Sequence, residues 1–166
     1  MKIGRMVNGG LRQYGIRIRH LSMQKTILLL PECSIKQQRA SAFQNGWEKE
    51  AYTNGKIWQV ATLRPGKYRL EVTYAYTMVV SDAGNFISAL MAKGNSESDI
   101  PNVADIEQLN GVCAIYDKAG TNDDSGVLVT PSFEVTETTD VVIGFLTSLA
   151  KGNSYFKVTE LKLILE

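Results

Sequence analysis

Residues able to do chemistry are few in this 166-residue chain, and they are scattered. It has a single histidine, His20, so any Ser-His-Asp or Cys-His relay would have to pass through it. His20 follows Arg19 in a segment that reads as a strand, which makes it a surface or edge residue. Glycoside hydrolysis needs two carboxylates facing one cleft. Asp123 and Asp124 are instead adjacent in a loop, Glu48 and Glu50 share one side of a short segment, and neither pair carries a recognisable motif. The expectation is a protein that is not an enzyme. Asn122, Asp123, Asp124 and Ser125 cluster hard oxygens of the kind calcium takes, but the D-x-[DN]-x-[DN]-G pattern is absent, so an acidic solvated turn is the competing reading. Sugar recognition works differently, by stacking an aromatic face on a pyranose ring while amides and carboxylates bond its hydroxyls. Rings in loops or near strand ends are Trp47, Tyr52, Trp58, Tyr116 and Tyr155, with Asn54, Asp117 and Asn122 as polar neighbours. Each ring also has a packing reading. Trp58, for example, shares a strand face with Val60 and Thr62.

Composition supports one globular domain, with 44% hydrophobic and 21% charged residues, and no apolar run approaches the ~20 residues of a membrane helix. Ile27–Leu30, between Lys25 and Cys33, mimics a lipoprotein signal, but it is too short and Pro31-Glu32 is wrong before the cysteine. A signal, if the protein is exported, is expected outside this chain. Cys33 and Cys113 match no zinc or redox spacing, and read either as a disulfide or as two small buried thiols. The net charge of +1 is unevenly spread. Residues 1–40 carry eight Lys/Arg against Glu32, a net of +7, and the remainder a net of −6. A basic arm seeking an anionic surface is one reading; a basic edge lying against its own acidic domain is the favoured one. No aromatics interleave the arginines, so no nucleic-acid partner is expected.

The elements that must position these residues are strands. Lys56–Leu63 ends at Arg64-Pro65-Gly66, a turn in which Pro presets φ and Gly permits φ > 0. Lys67–Tyr76 alternates cleanly, with Tyr68, Leu70, Val72, Tyr74 and Tyr76 on one face and Lys67, Arg69, Glu71 and Thr73 on the other, the mark of an antiparallel sheet wet on one side. Asn85–Ala92 follows. Residues 93–111 are rich in Gly, Asn, Ser and Asp, with Asn102 placed to cap a short helical turn bearing Val103, Ile106 and Leu109. Val112–Asp117 and Val127–Thr136 are strands, the latter bent or placed at an edge by Pro131. Asp140–Leu149 is apolar on both faces and therefore central. In Ser154–Leu165, Phe156 and Val158 fall on even positions but Leu161, Leu163 and Leu165 on odd ones. A bulge near Thr159-Glu160 would restore one buried face. In the basic region, Gly15–Leu21 and Thr26–Leu30 are candidate strands, and Lys36–Phe43 is helix or coil.

The run from Asn54 to Val72 (NGKIWQVATLRPGKYRLEV), with Gly46-Trp47 before it, resembles a signature of jelly-roll carbohydrate-binding modules of the galactose-binding-like type. More widely, residues 46–165 resemble a domain family of unknown function found at the C-terminal end of exported proteins from gut-dwelling bacteria. The matching stretches are Leu90–Asn95, Ile100–Ala104, Phe133–Thr136, Val142–Leu146 and Tyr155–Leu163. The resemblance implies an all-β antiparallel sandwich of jelly-roll type over residues 46–166; residues 1–45 lie outside it and form a basic extension that adds strands or none. It also implies an extracellular or cell-surface location. Relatives of jelly-roll type often hold a structural calcium through an acidic residue of the final strand, and Glu160 stands at that point. The expected function is a non-catalytic glycan-binding module. Its rival is a structural or protein–protein interaction domain that contacts neighbouring domains of a surface protein and binds no sugar.

Overall fold

The computed structural model describes residues 51–79, 84–118, 120, 123–150 and 154–166, and the backbone of two strands, Glu32–Ile35 and Ser41–Asn45. Among the described residues, ten strands form two antiparallel sheets packed face to face. In chain order they are β1 (Glu32–Ile35), β2 (Ser41–Asn45), β3 (Tyr52–Leu63), β4 (Gly66–Thr77), β5 (Phe86–Lys93), β6 (Gly111–Ile115), β7 (Asp124–Val129), β8 (Phe133–Val135), β9 (Thr139–Leu149) and β10 (Ser154–Leu165). The six-stranded sheet centres on the pair β10–β4. β1 and β2 lie along the far edge of β10, and β7 and β8 along the far edge of β4. The four-stranded sheet runs β3-β9-β5-β6. The chain is thus an all-β sandwich. No helix among the described residues is long and apolar enough to cross a membrane.

The alternation of β4 builds the core. Tyr68, Leu70, Val72 and Tyr74 point inward against Val141, Ile143 and Phe145 of β9 and Ala89 and Met91 of β5. The slip in the last strand is a bulge. Val158 pairs with Tyr74 and Glu160 with Thr73, so Thr159 is the extra residue, and Phe156, Val158, Leu161 and Leu163 all stay buried. Thr159 itself donates its hydroxyl to the Thr73 carbonyl at 3.1 Å. Pro131 interrupts Val127–Thr136 as expected, splitting it into β7 and β8 on the same edge of β4. At the break the Thr130 N–H bonds the Leu70 carbonyl at 3.0 Å, and its hydroxyl accepts the Leu70 N–H at 2.9 Å.

β9 is central, between β3 and β5, and buried on both faces. Its inner side chains enter the core. On the outer side Val142 and Leu146 join Leu90 and Ile100 in a second apolar cluster, against which Trp58, Phe86, Val103, Ile106, Leu109 and Cys113 pack. The Gly/Asn-rich stretch is therefore a cover, carrying two 3-10 turns, Glu97–Asp99 and Val103–Gln108. Asn102 occupies the capping position but its side chain caps nothing. Instead the Asn54 amide oxygen, reaching over from β3, accepts the Val103 N–H at 2.7 Å.

Part of Lys36–Phe43 is strand rather than helix or coil, because Ser41–Phe43 begin β2 and pair with β10. Gly15–Leu21, Thr26–Leu30 and His20 lie outside the described residues. Cys113 is a free thiol on β6, and burial pushes its pKa up.

Candidate functional site

Two of the rings proposed to touch sugar are core residues. Tyr52 is 6% exposed and shares a 3.4 Å hydrogen bond with the Thr147 hydroxyl; burial pushes its phenol pKa up. Tyr116 is 8% exposed and edge-on to both Tyr74 and Phe156, with ring centroids 5.3 and 5.2 Å apart. A ring closed in on its faces cannot stack on a ligand. Trp58 is half-buried, opposite Gly144, where an added Cβ would overlap the Ile57 carbonyl oxygen; the indole packs over the outer cluster. Tyr155 is half-buried, its backbone bridged to Met78. Asn54 is spent on the Val103 cap and donates its own N–H to the Ser148 hydroxyl at 3.0 Å. Trp47 and Asn122 lie outside the described residues.

The carboxylates expected to hold calcium do not converge, and among the described residues no group of three His, Cys, Asp or Glu side chains could hold a metal. Asp124 accepts the Tyr116 hydroxyl at 2.7 Å and sits 3.6 Å from the Lys118 ammonium. The Tyr116 hydrogen bond first, and Lys118 after it, hold Asp124 below the usual carboxylate range. Glu160 points outward from the bulge to Lys162 at 3.0 Å. Asp123 and Asp117 are exposed, and Asp123 has a left-handed φ of 51°.

The ring that does reach solvent is one the alternation had placed inside. Tyr74 pairs with Gly126 and Thr77 with Asp124, so Ala75 and Tyr76 together oppose Ser125. This bulge shifts the phase of β4. Thr77 takes the inward position at 0% exposure, and Tyr76 is turned out, 63% exposed, at φ 53°. A bulky non-glycine residue at positive φ costs on the order of 1–2 kcal/mol, and such outliers concentrate at functional positions. Bulges are a common means of re-aiming a side chain.

Around Tyr76 the sandwich end is held firmly. The Thr77 hydroxyl accepts the Lys157 N–H at 3.4 Å, and Gly120 N–H bonds the Val79 carbonyl at 2.6 Å, tying Gly120 to the segment that follows β4. The Lys157 ammonium lies over the Tyr76 ring, 5.1 Å from its centroid. An exposed cation–π contact of this kind is worth only about 0.5–1 kcal/mol, so a ligand can displace it. The signal that would have located Tyr76 is not periodicity, which argues for the opposite face, but the register of β4 against β7.

The architecture places this chain among all-β two-sheet sandwiches. A family model described as a domain of unknown function (DUF5013) matches residues 34–144, and the chain belongs to that family. The match begins within β1, earlier than the resemblance suggested, and ends at Gly144, halfway along β9 and before β10. No curated protein matches the chain.

Proposed function

We propose that this chain is a non-catalytic carbohydrate-binding module of an exported or cell-surface bacterial protein, with a sandwich of jelly-roll, galactose-binding-like type, and that Tyr76 is its stacking platform. The observation that carries this reading is the ring itself, large and solvent-exposed, held by a bulge at a backbone conformation costly for tyrosine. A sugar-binding ring must be pre-set and wet in the unbound state, because its affinity comes from replacing water on a flat apolar face. Asp117 and Asp123, both exposed, lie just before β7, whose Asp124 pairs with Thr77 beside Tyr76, and they supply the class of groups that bond hydroxyls. The non-catalytic part is supported by the engagement of several of the described carboxylates in structure. Asp124 is held by Tyr116 and Lys118, Glu71 and Glu166 by Arg69, Asp140 by Thr62, and Asp99 by Ser96.

A glycan array at near-physiological salt, with and without calcium, tests the reading. Selective binding that disappears in Tyr76→Ala and survives in Trp58→Ala is expected. Absence of binding to every glycan sinks it. In that event the second reading takes over, a structural or protein–protein interaction domain without a sugar ligand. It is favoured by one observation, the exposure of Val127 (55%) and Val129 (46%) on the unpaired edge strand β7, an apolar edge of the kind that pairs with other chains.

A further inference from the structure

On the outer face of the six-stranded sheet the described cations are paired with acids, with one exception. Lys67 lies 3.8 Å from Glu166, Arg69 lies 2.8 Å from Glu166 and 2.9 Å from Glu71, and Lys162 lies 3.0 Å from Glu160. At the neighbouring loop Lys118 has Asp124. Lys157, on the same outward side of β10, has no carboxylate partner among the described residues, and its ammonium rests on the face of the exposed Tyr76. Asp124, the carboxylate aligned with the bulge across the β4–β7 ladder, is already taken up by Tyr116 and Lys118. An uncompensated ammonium thus stands against the one ring in this region that a bulge turns outward.

Resting on the carbohydrate-binding reading, we propose that the glycan is acidic, a uronate- or sialate-bearing saccharide whose carboxylate pairs with Lys157 while its ring stacks on Tyr76. The stem of lysine is long and flexible, so the ammonium can leave the ring face for its edge as the sugar takes the face. The exchange replaces a weak cation–π contact with a charge-assisted hydrogen bond, which is stronger than a neutral one. A neutral sugar would have to displace the ammonium and give nothing back. The same pairing makes affinity fall with rising salt, because the site is at the surface.

The test uses the full chain and paired probes: oligogalacturonate, oligoglucuronate and sialyllactose, each beside its methyl ester, titrated by calorimetry. At least one acid is expected to bind better than its ester, and Lys157→Gln is expected to weaken the acid roughly tenfold or more while leaving the ester unchanged. Tyr76→Ala is expected to abolish both. Equal or tighter binding of all the esters overturns the acidic-ligand inference and leaves the carbohydrate reading standing, as does an acid preference that persists in Lys157→Gln. Failure of every probe, acid and ester alike, together with a blank glycan array, removes the carbohydrate reading and this inference with it. Binding of neutral glycans alone on that array removes only the inference.

Discussion

The Asn54 amide oxygen accepts the Val103 N–H at 2.7 Å, across 49 positions of sequence, and fastens the cover of the four-stranded sheet to its edge strand. Asn54 reaches the turn because it sits at a register shift between β3 and β9 with a φ of 56°, a left-handed conformation that asparagine tolerates better than most residues. Beneath the cover lie Leu90, Val142 and Leu146, and Lys56 adds a second tie by donating to the Ile100 carbonyl at 2.6 Å.

Replacing this cap has a defined effect. Asn54→Ala is expected to cost about 1–2 kcal/mol, combining the lost cap with the strain of positive φ. Asn54→Gly keeps the backbone comfortable and loses only the cap, so it should be milder. Urea denaturation gives the magnitudes, and hydrogen exchange should show faster opening of residues 100–109 in both. Equal stability of wild type and Asn54→Ala would contradict the role.

Tyr76 offers a separation of stability from binding. Glycine adopts φ 53° without steric cost, so Tyr76→Gly should stabilise the fold by roughly 0.5–1 kcal/mol after its own entropy is counted. The same substitution should abolish glycan binding, the trade-off expected where a strained residue serves function. Thermal unfolding and the array measure the two effects. A destabilised Tyr76→Gly protein would show the ring to be a packing residue.

Acid should loosen the Tyr116–Asp124 contact. The folded pKa of Asp124 is lowered, chiefly by the Tyr116 hydroxyl, so this contact contributes stability above the unfolded carboxylate pKa. That contribution is lost as pH falls through the lower, folded value. Tyr116→Phe removes the main cause, and the stability difference between wild type and variant should therefore be present at neutral pH and shrink in acid. Denaturation midpoints measured from pH 7 downward give the difference; one that grows in acid would reverse the assignment.

The bulge in β10 is open to a deletion test. Removing Thr159 takes out the residue that has no partner on β4 and leaves Val158 opposite Tyr74 and Glu160 opposite Thr73, so Phe156, Val158, Leu161 and Leu163 keep their buried face in one unbroken alternation. Each buried leucine side chain is worth roughly 1.5–3 kcal/mol, so a retained cooperative fold is the expected outcome, and its loss would mean that the leucines had turned outward and would contradict the bulge. Circular dichroism and a thermal melt show it directly. Thr159→Ala, which keeps the residue and loses only its hydroxyl bond to Thr73, should cost no more than about 1.5 kcal/mol.

By itself the sequence determined most of the strands beyond residue 50 and most of their apolar faces, though not β1 or β2. The clean alternation of Lys67–Tyr74, the doubly apolar Asp140–Leu149, the break at Pro131 and the slip at Thr159 are local patterns, and each followed from side chains one or two positions apart. Tertiary structure alone decided what those faces meet. Tyr52 and Tyr116 sit near strand ends, where exposure is expected, yet they are enclosed by Thr147 and by Tyr74 and Phe156, residues at least 40 positions away in every case. Asn102 has the right type and place to cap a turn, yet it is the Asn54 amide oxygen, reaching over from β3, that accepts the Val103 N–H. Tyr76 continues a perfect alternation, but the ladder with β7 accommodates two residues of β4 opposite one and reverses its face. Strand periodicity is a property of a single chain segment, whereas bulge position and ring exposure depend on the register between segments, which no single segment contains.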